Sequence, residues 1–185
     1  MHRHMIFWGM VGALSLMPAL GHEPCRSGLQ VGQRPGPYSF LVSTGPKRGQ
    51  QHCFICETGD RPAVIVFART PDEELAVLAR HVDGLLEKYR DSGLTAWVTF
   101  LSDQQPALDE TLVAWSKSLQ LRHLPLGVYE DAQGPPAYRL DPEAEVTVMI
   151  AVKQKVTANF AFRRGELARS SLEAFTEAVT KTLPK

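Results

Sequence analysis

The chain has 185 residues, with 20 Lys and Arg against 20 Asp and Glu and no formal net charge. That length suits one domain with a real core, and 44% hydrophobic with 22% charged residues excludes a disordered chain. The neutral balance excludes a general nucleic-acid binder, and three cysteines are too few for a disulfide-stapled miniprotein.

Residues 1–21 read as a signal peptide. Met1-His2-Arg3-His4 is a short basic start, Met5 to Leu16 is apolar apart from one Ser, and Pro18 breaks the run. Ala19 and Gly21 are the small residues of a cleavage site, so cleavage is expected after Gly21 and the protein is expected to be exported, periplasmic or secreted. His22 stands three before Cys25 where a lipobox needs an aliphatic residue, so no lipid anchor is expected. The apolar run is too short for a free-standing membrane span, and the mature chain carries no other. All three cysteines lie in the mature part, where disulfides are permitted.

Residues 22–37 are rich in Gly, Pro and polar types and read as a flexible entry segment, with the folded domain over 38–185. Tyr38 to Val42 is a short strand. Ala63-Val64-Ile65-Val66-Phe67-Ala68 is an apolar, β-branched run expected to be a strand buried on both faces. Thr70-Pro71-Asp72-Glu73 reads as a capping box with Thr70 as cap. Leu75, Leu78, Val82, Leu85, Leu86 and Tyr89 then recur at helical spacing up to Gly93. Leu94 to Leu101 is a second buried strand. Leu108, Thr111, Leu112, Trp115 and Leu119 mark a second helix from Pro106, and Leu126 to Tyr129 is a short strand. Val146 to Val152 and Lys155 to Phe162 form a hairpin about Lys153-Gln154. Ser170 and Glu173 form a second capping box, opening a helix with Leu172, Phe175, Val179 and Leu183 on one face.

Helices between strands imply right-handed crossovers and a parallel core, to which the hairpin adds antiparallel strands. This order, with 61–69 as central strand and 146–162 as hairpin, resembles the thioredoxin-like fold, an α/β architecture with a central mixed sheet flanked by helices. It is similar to the redoxin and peroxiredoxin-type branch, which often opens on a Gly-x-x-x-Pro entry such as Gly32 to Pro37 here. It also resembles small exported thioredoxin-like proteins of planctomycete-type bacteria. The resemblance implies a reactive cysteine just after the central strand, where a helix N-terminus favours the thiolate. Here that stretch reads Ala68-Arg69-Thr70-Pro71-Asp72-Glu73-Glu74, without a cysteine. The family's cis-proline is expected just before the hairpin, and Glu145-Val146-Thr147 fills that place.

The remaining chemistry is Cys53-Phe54-Ile55-Cys56, preceded by His52 and about five residues before the central strand. Four readings are open. One is redox, with Cys53 attacking, Cys56 resolving and His52 favouring the thiolate. The second is a mixed S/N set of His52, Cys53, Cys56 and Cys25 for zinc or copper(I). The third is a structural disulfide, and the fourth is small buried thiols without chemistry. For catalysis, the 50–58 loop must return over Thr70-Pro71 beside Glu145-Val146. There it would meet the opposing charges of Asp72, Glu73 and Glu74, giving a weakly activated thiol.

The other polar positions have simpler readings. His81 is expected to pack, His123 to complement a helix C-terminus, and Trp97 and Trp115 to fill the core. Arg163-Arg164 reads as a solvated turn. The favoured reading is an exported thioredoxin-like protein with a displaced CxxC (Cys53, Cys56) acting in thiol–disulfide exchange. No cofactor is required, and its partners are protein thiols or disulfides or another protein, not nucleic acid. The alternative is a non-catalytic binding or scaffold module with structural cysteines, or a metal-binding protein.

Overall fold

Every residue of Ala63–Ala68 (β3) is buried, because the strand has neighbours on both edges and cover on both faces. It pairs in parallel with Thr95–Leu101 (β4) and antiparallel with Val146–Val152 (β6). The computed structural model describes residues 23–184. The expected signal peptide, 1–21, lies outside them. The remaining strands are Phe40–Val42 (β1), Gln51–His52 (β2), Leu126–Tyr129 (β5) and Lys155–Phe162 (β7), in the sheet order β2-β1-β5-β4-β3-β6-β7. The helices are Phe54–Thr58 (α1), Glu73–Lys88 (α2), Gln105–Leu119 (α3) and Arg169–Thr182 (α4).

Successive strand residues point to opposite faces. Val64, Val66 and Ala68 face a core built with Leu75, Leu78, Val82, Leu112, Phe175 and Val179, so α2, α3 and α4 all cover one face. The chain steps from β3 to β4 to β5 in one direction, and two right-handed crossovers in the same direction place both helices on the same side. Ala63, Ile65 and Phe67 face a second core with Trp97, Met149, Tyr38, Phe40 and Tyr138, covered by loops and α1. Phe67, Val98 and Met149 are buried, and 146–162 forms a hairpin whose turn residues Lys153 and Gln154 both take positive φ.

Burial pushes the Tyr38 and Tyr138 phenols far above their ordinary range, so both remain neutral. Their hydroxyls are satisfied inside the second core. Trp97 Nε1 donates to Tyr38 at 2.7 Å, Tyr38 Oη lies 2.9 Å from Thr99 Oγ1, and Tyr138 donates to Gly36 O at 2.7 Å.

Three local expectations need correction. The entry segment is laid down on the sheet rather than free. Asn159 Nδ2 donates to Ser27 O at 2.8 Å and Leu29 O at 2.7 Å, and Gly32 and Gln33 exchange backbone bonds with Val156. Gly28 takes φ +83, and a Cβ there would come 2.8 Å from Thr147 Cγ2, so this approach needs glycine. The α2 cap is Asp72, which accepts from Leu75 N at 2.9 Å, because Asp72 N–H already bonds Thr70 O and turns Thr70 out of the cap. Helix α4 starts at Arg169 with Ala168 as its cap, after a turn in which Ala168 N–H bonds Glu166 O, so Ser170 and Glu173 fall inside it.

Candidate functional site

Strand β2 pairs His52 with Phe40 and delivers the chain directly into Cys53, the N-cap of α1. Cys53 and Cys56 are joined by a disulfide, with Cα atoms 5.4 Å apart. Five residues are too few for a helix to hold alone, and its neighbours supply the difference. Phe54 stacks between Phe40 and Trp97, with centroid distances of 5.5 and 5.6 Å. Thr58 Oγ1 donates to Phe54 O at 2.9 Å. Arg61 donates to Glu57 O at 2.8 Å and Thr58 O at 3.2 Å, closing the helix C-terminus.

His52 faces Glu57 rather than the sulfurs in every contact it makes through Nε2. That atom lies 3.1 Å from Glu57 Oε2 but is not aligned for a hydrogen bond. The His52 ring edge packs on Phe54 at 4.7 Å. Lys47 Nζ donates to Glu57 Oε1 at 3.1 Å, and this bond, aided by His52, holds the Glu57 carboxyl below the usual range. Cys53 is half-buried and Cys56 is exposed. Cys56 opens on a cleft of about 320 Å³ lined by Arg34, Pro35, Gly36, Pro37, Ile55, Gly59 and Gln154.

The pair does not return to Thr70-Pro71. Gln154, which shares the cleft with Cys56, is in the β6–β7 turn at the end of the sheet where β3 begins, and Lys153 N–H bonds Asp60 O at 3.2 Å. Helix α2 starts beyond the other end of β3, about 17 Å away along the strand, and on the opposite face. Asp72, Glu73 and Glu74 therefore do not oppose these thiols. The stretch where the resemblance puts a reactive cysteine, Ala68 to Glu74, holds none, and near its start stands Arg69. Its guanidinium donates to Ala132 O (2.7 Å), Ala144 O (2.9 Å) and Asp141 O (3.2 Å), tying the 130–145 loop to β3. The described residues contain no cis peptide bond.

Cys25 is a half-buried free thiol near Arg163, Asp141, Glu143 and Glu166. Burial is the main influence raising its pKa, with Arg163 opposing. Val146 and Phe162, where that neighbourhood begins, lie at the far end of the hairpin from Gln154. The set His52, Cys53, Cys56 and Cys25 is thus not brought together, and among the described residues no group of three or more His, Cys, Asp or Glu could hold a metal ion.

Trp97 is buried as expected, and Trp115 packs against the helix-side core. His81 packs on Phe175, with Nε2 2.7 Å from Thr176 Oγ1, and burial lowers its pKa. At His123 it is the backbone that matters: Asp83 accepts from the N–H groups of Arg122, His123 and Leu124, a clamp spanning 39 to 41 residues that no local pattern reveals. Arg163 and Arg164 are not simply solvated, pairing with Glu143 (3.4 Å), Glu166 (3.3 Å) and Glu145 (3.1 Å).

The same arrangement of strands and helices recurs in solved structures. One, assigned as the thiol:disulfide interchange protein DsbE of Chlorobium tepidum, superposes with a TM-score of 0.65 at 13% identity, covering 84% of this chain and 99% of that one. Peroxidoxin BcpB from Mycobacterium tuberculosis gives 0.59 at 15% identity, covering 84% and 99%. The exposed lipoprotein thioredoxin Etrx1 of Streptococcus pneumoniae gives 0.58 at 10%, covering 79% and 99%. This chain has the thioredoxin-like fold. No protein-family profile matches the sequence, and no curated protein does. In this chain the CxxC precedes the central strand and Arg69 follows it.

Proposed function

We propose that this is an exported thioredoxin-fold protein whose Cys53–Cys56 pair exchanges between disulfide and dithiol with protein thiols outside the cytoplasm. The observation that carries the reading is a CxxC disulfide with one exposed cysteine at the mouth of a cleft, in a fold shared with thiol:disulfide interchange proteins. The cleft that Cys56 lines has no acidic residue in its lining, so no carboxylate there opposes a thiolate on Cys56. No metal is required. Insulin reduction by the mature protein, beside Cys53→Ser and Cys56→Ser, tests it. Loss of turnover in both variants is expected, and unchanged turnover in both would overturn it.

The second reading is a binding module in which the disulfide only staples α1. The anchoring of Phe54 on Trp97 favours it, since a pinned helix restricts opening of the pair. Full reduction of the pair without any catalysed exchange would move it to the front.

A further inference from the structure

Thiol–disulfide exchange depends on which sulfur can be reached, because the attacking thiolate approaches along the extension of the S–S bond. Approach to Cys56 Sγ comes from the side away from Cys53, and that side needs open space. Cys56 is exposed and lines the cleft with Pro35, Gly36 and Pro37, which gives an incoming thiol room to approach. Cys53 does not line that cleft. It is half-buried, held between strand β2 and a helix whose first residue is stacked on the core.

The cleft also has a charge. Arg34 is its one charged lining residue, and its guanidinium bonds the neutral side-chain oxygen of Gln154. No carboxylate pairs with Arg34 among the described residues. An exposed, acid-free cation beside the reacting sulfur favours an incoming thiol that carries a carboxylate.

Resting on the exchange reading above, we infer that Cys56, the second cysteine of the motif, is the interchange sulfur, and that Arg34 selects anionic thiols for it. The substrate thiolate attacks Cys56 Sγ, forming a mixed disulfide there and breaking the Cys53–Cys56 bond. Cys53 leaves as a thiolate and takes a proton from solvent. A second substrate thiolate then attacks the substrate sulfur of the mixed disulfide, releasing substrate disulfide and the Cys56 thiolate. Two thiols are oxidised and one protein disulfide is reduced, so the electrons balance. This reverses the order expected from the sequence, where Cys53 attacks and Cys56 resolves.

The experiment pulses the mature protein, carrying Cys25→Ser, with reduced glutathione, blocks free thiols with N-ethylmaleimide and maps the adduct by mass spectrometry. Glutathione on Cys56 with the maleimide on Cys53 is expected, and the opposite placement would overturn the inference. In parallel, single-thiol variants are titrated with 5,5′-dithiobis(2-nitrobenzoate). Cys56 in the Cys53→Ser protein should react at least about tenfold faster than Cys53 in the Cys56→Ser protein, since access governs the rate. Equal or reversed rates count against the inference even if exchange occurs. If Cys56 is the faster thiol but insulin turnover is absent, the exchange reading fails while the order of the sulfurs stands. Arg34→Gln should slow glutathione about threefold and leave cysteamine unslowed. Equal slowing of both would remove Arg34 as the selector.

Discussion

Phe54, the residue after the first cysteine of the motif, stacks on Trp97 of the sheet with centroids 5.6 Å apart and planes within 16°. A five-residue helix is thereby tied to the middle of the second core, and Phe40 closes the other side of the stack. Phe54→Ala should cost about 1–3 kcal/mol, less than a fully buried aromatic because Phe54 is only half-buried. Urea denaturation measures it. A loss below about 0.5 kcal/mol would mean that the helix is held by its disulfide and not by the stack.

Ile65 is fully buried in the middle of β3, opposite Trp97 on one neighbour and Met149 on the other. Ile65→Ala should cost about 2–5 kcal/mol. A chemical-denaturation shift below about 1 kcal/mol would contradict the place of β3 at the centre of the core.

Much of this frame is legible in the sequence because its elements are long and periodic. The run 63–68, the stripe from Leu75 to Leu86 and the 146–162 hairpin each carry enough residues to display their period. Strand β2 has two residues and α1 has five, too few for any period, and they lie in a Gly- and Pro-rich stretch. Both cysteines of the motif are legible, but their surroundings are not. Arg34 and Gln154 meet beside Cys56 from 22 residues before it and 98 after, and Cys25 is carried away although it is nearer in sequence than Gln154. The Asp72 cap was hidden by a neighbouring Thr-Pro pair that satisfies the same pattern.

Asp83 holds three successive N–H groups of the 122–124 loop, with bonds as short as 2.7 Å. Asp83→Ala should cost about 1–3 kcal/mol, since those donors lose a charged acceptor. Hydrogen exchange at His123 and Leu124 should accelerate in the variant. Unchanged protection there would show that the loop is held by other contacts.

Burial depresses the His81 pKa in the fold. The unfolded chain therefore binds more protons over the window below its ordinary value of about 6.5, so stability rises with pH there. The contribution is present above that value and is lost as pH falls through the folded pKa. Thermal unfolding between about pH 7 and pH 5 should show a falling Tm, and the fall should be shallower in His81→Gln. An equally steep fall in the variant would assign the dependence to other groups.

Reversible redox of the Cys53–Cys56 pair in the folded protein is the central claim, and a redox titration tests it most directly. The mature protein is equilibrated in glutathione buffers for the upper range and dithiothreitol buffers for the lower, its thiols are trapped by alkylation, and the state of the pair is read by mass. Two-electron titration at about −120 to −270 mV with the fold intact is expected, the range of exchanging pairs. A pair that stays oxidised below about −300 mV, or opens only when the protein unfolds, would contradict it.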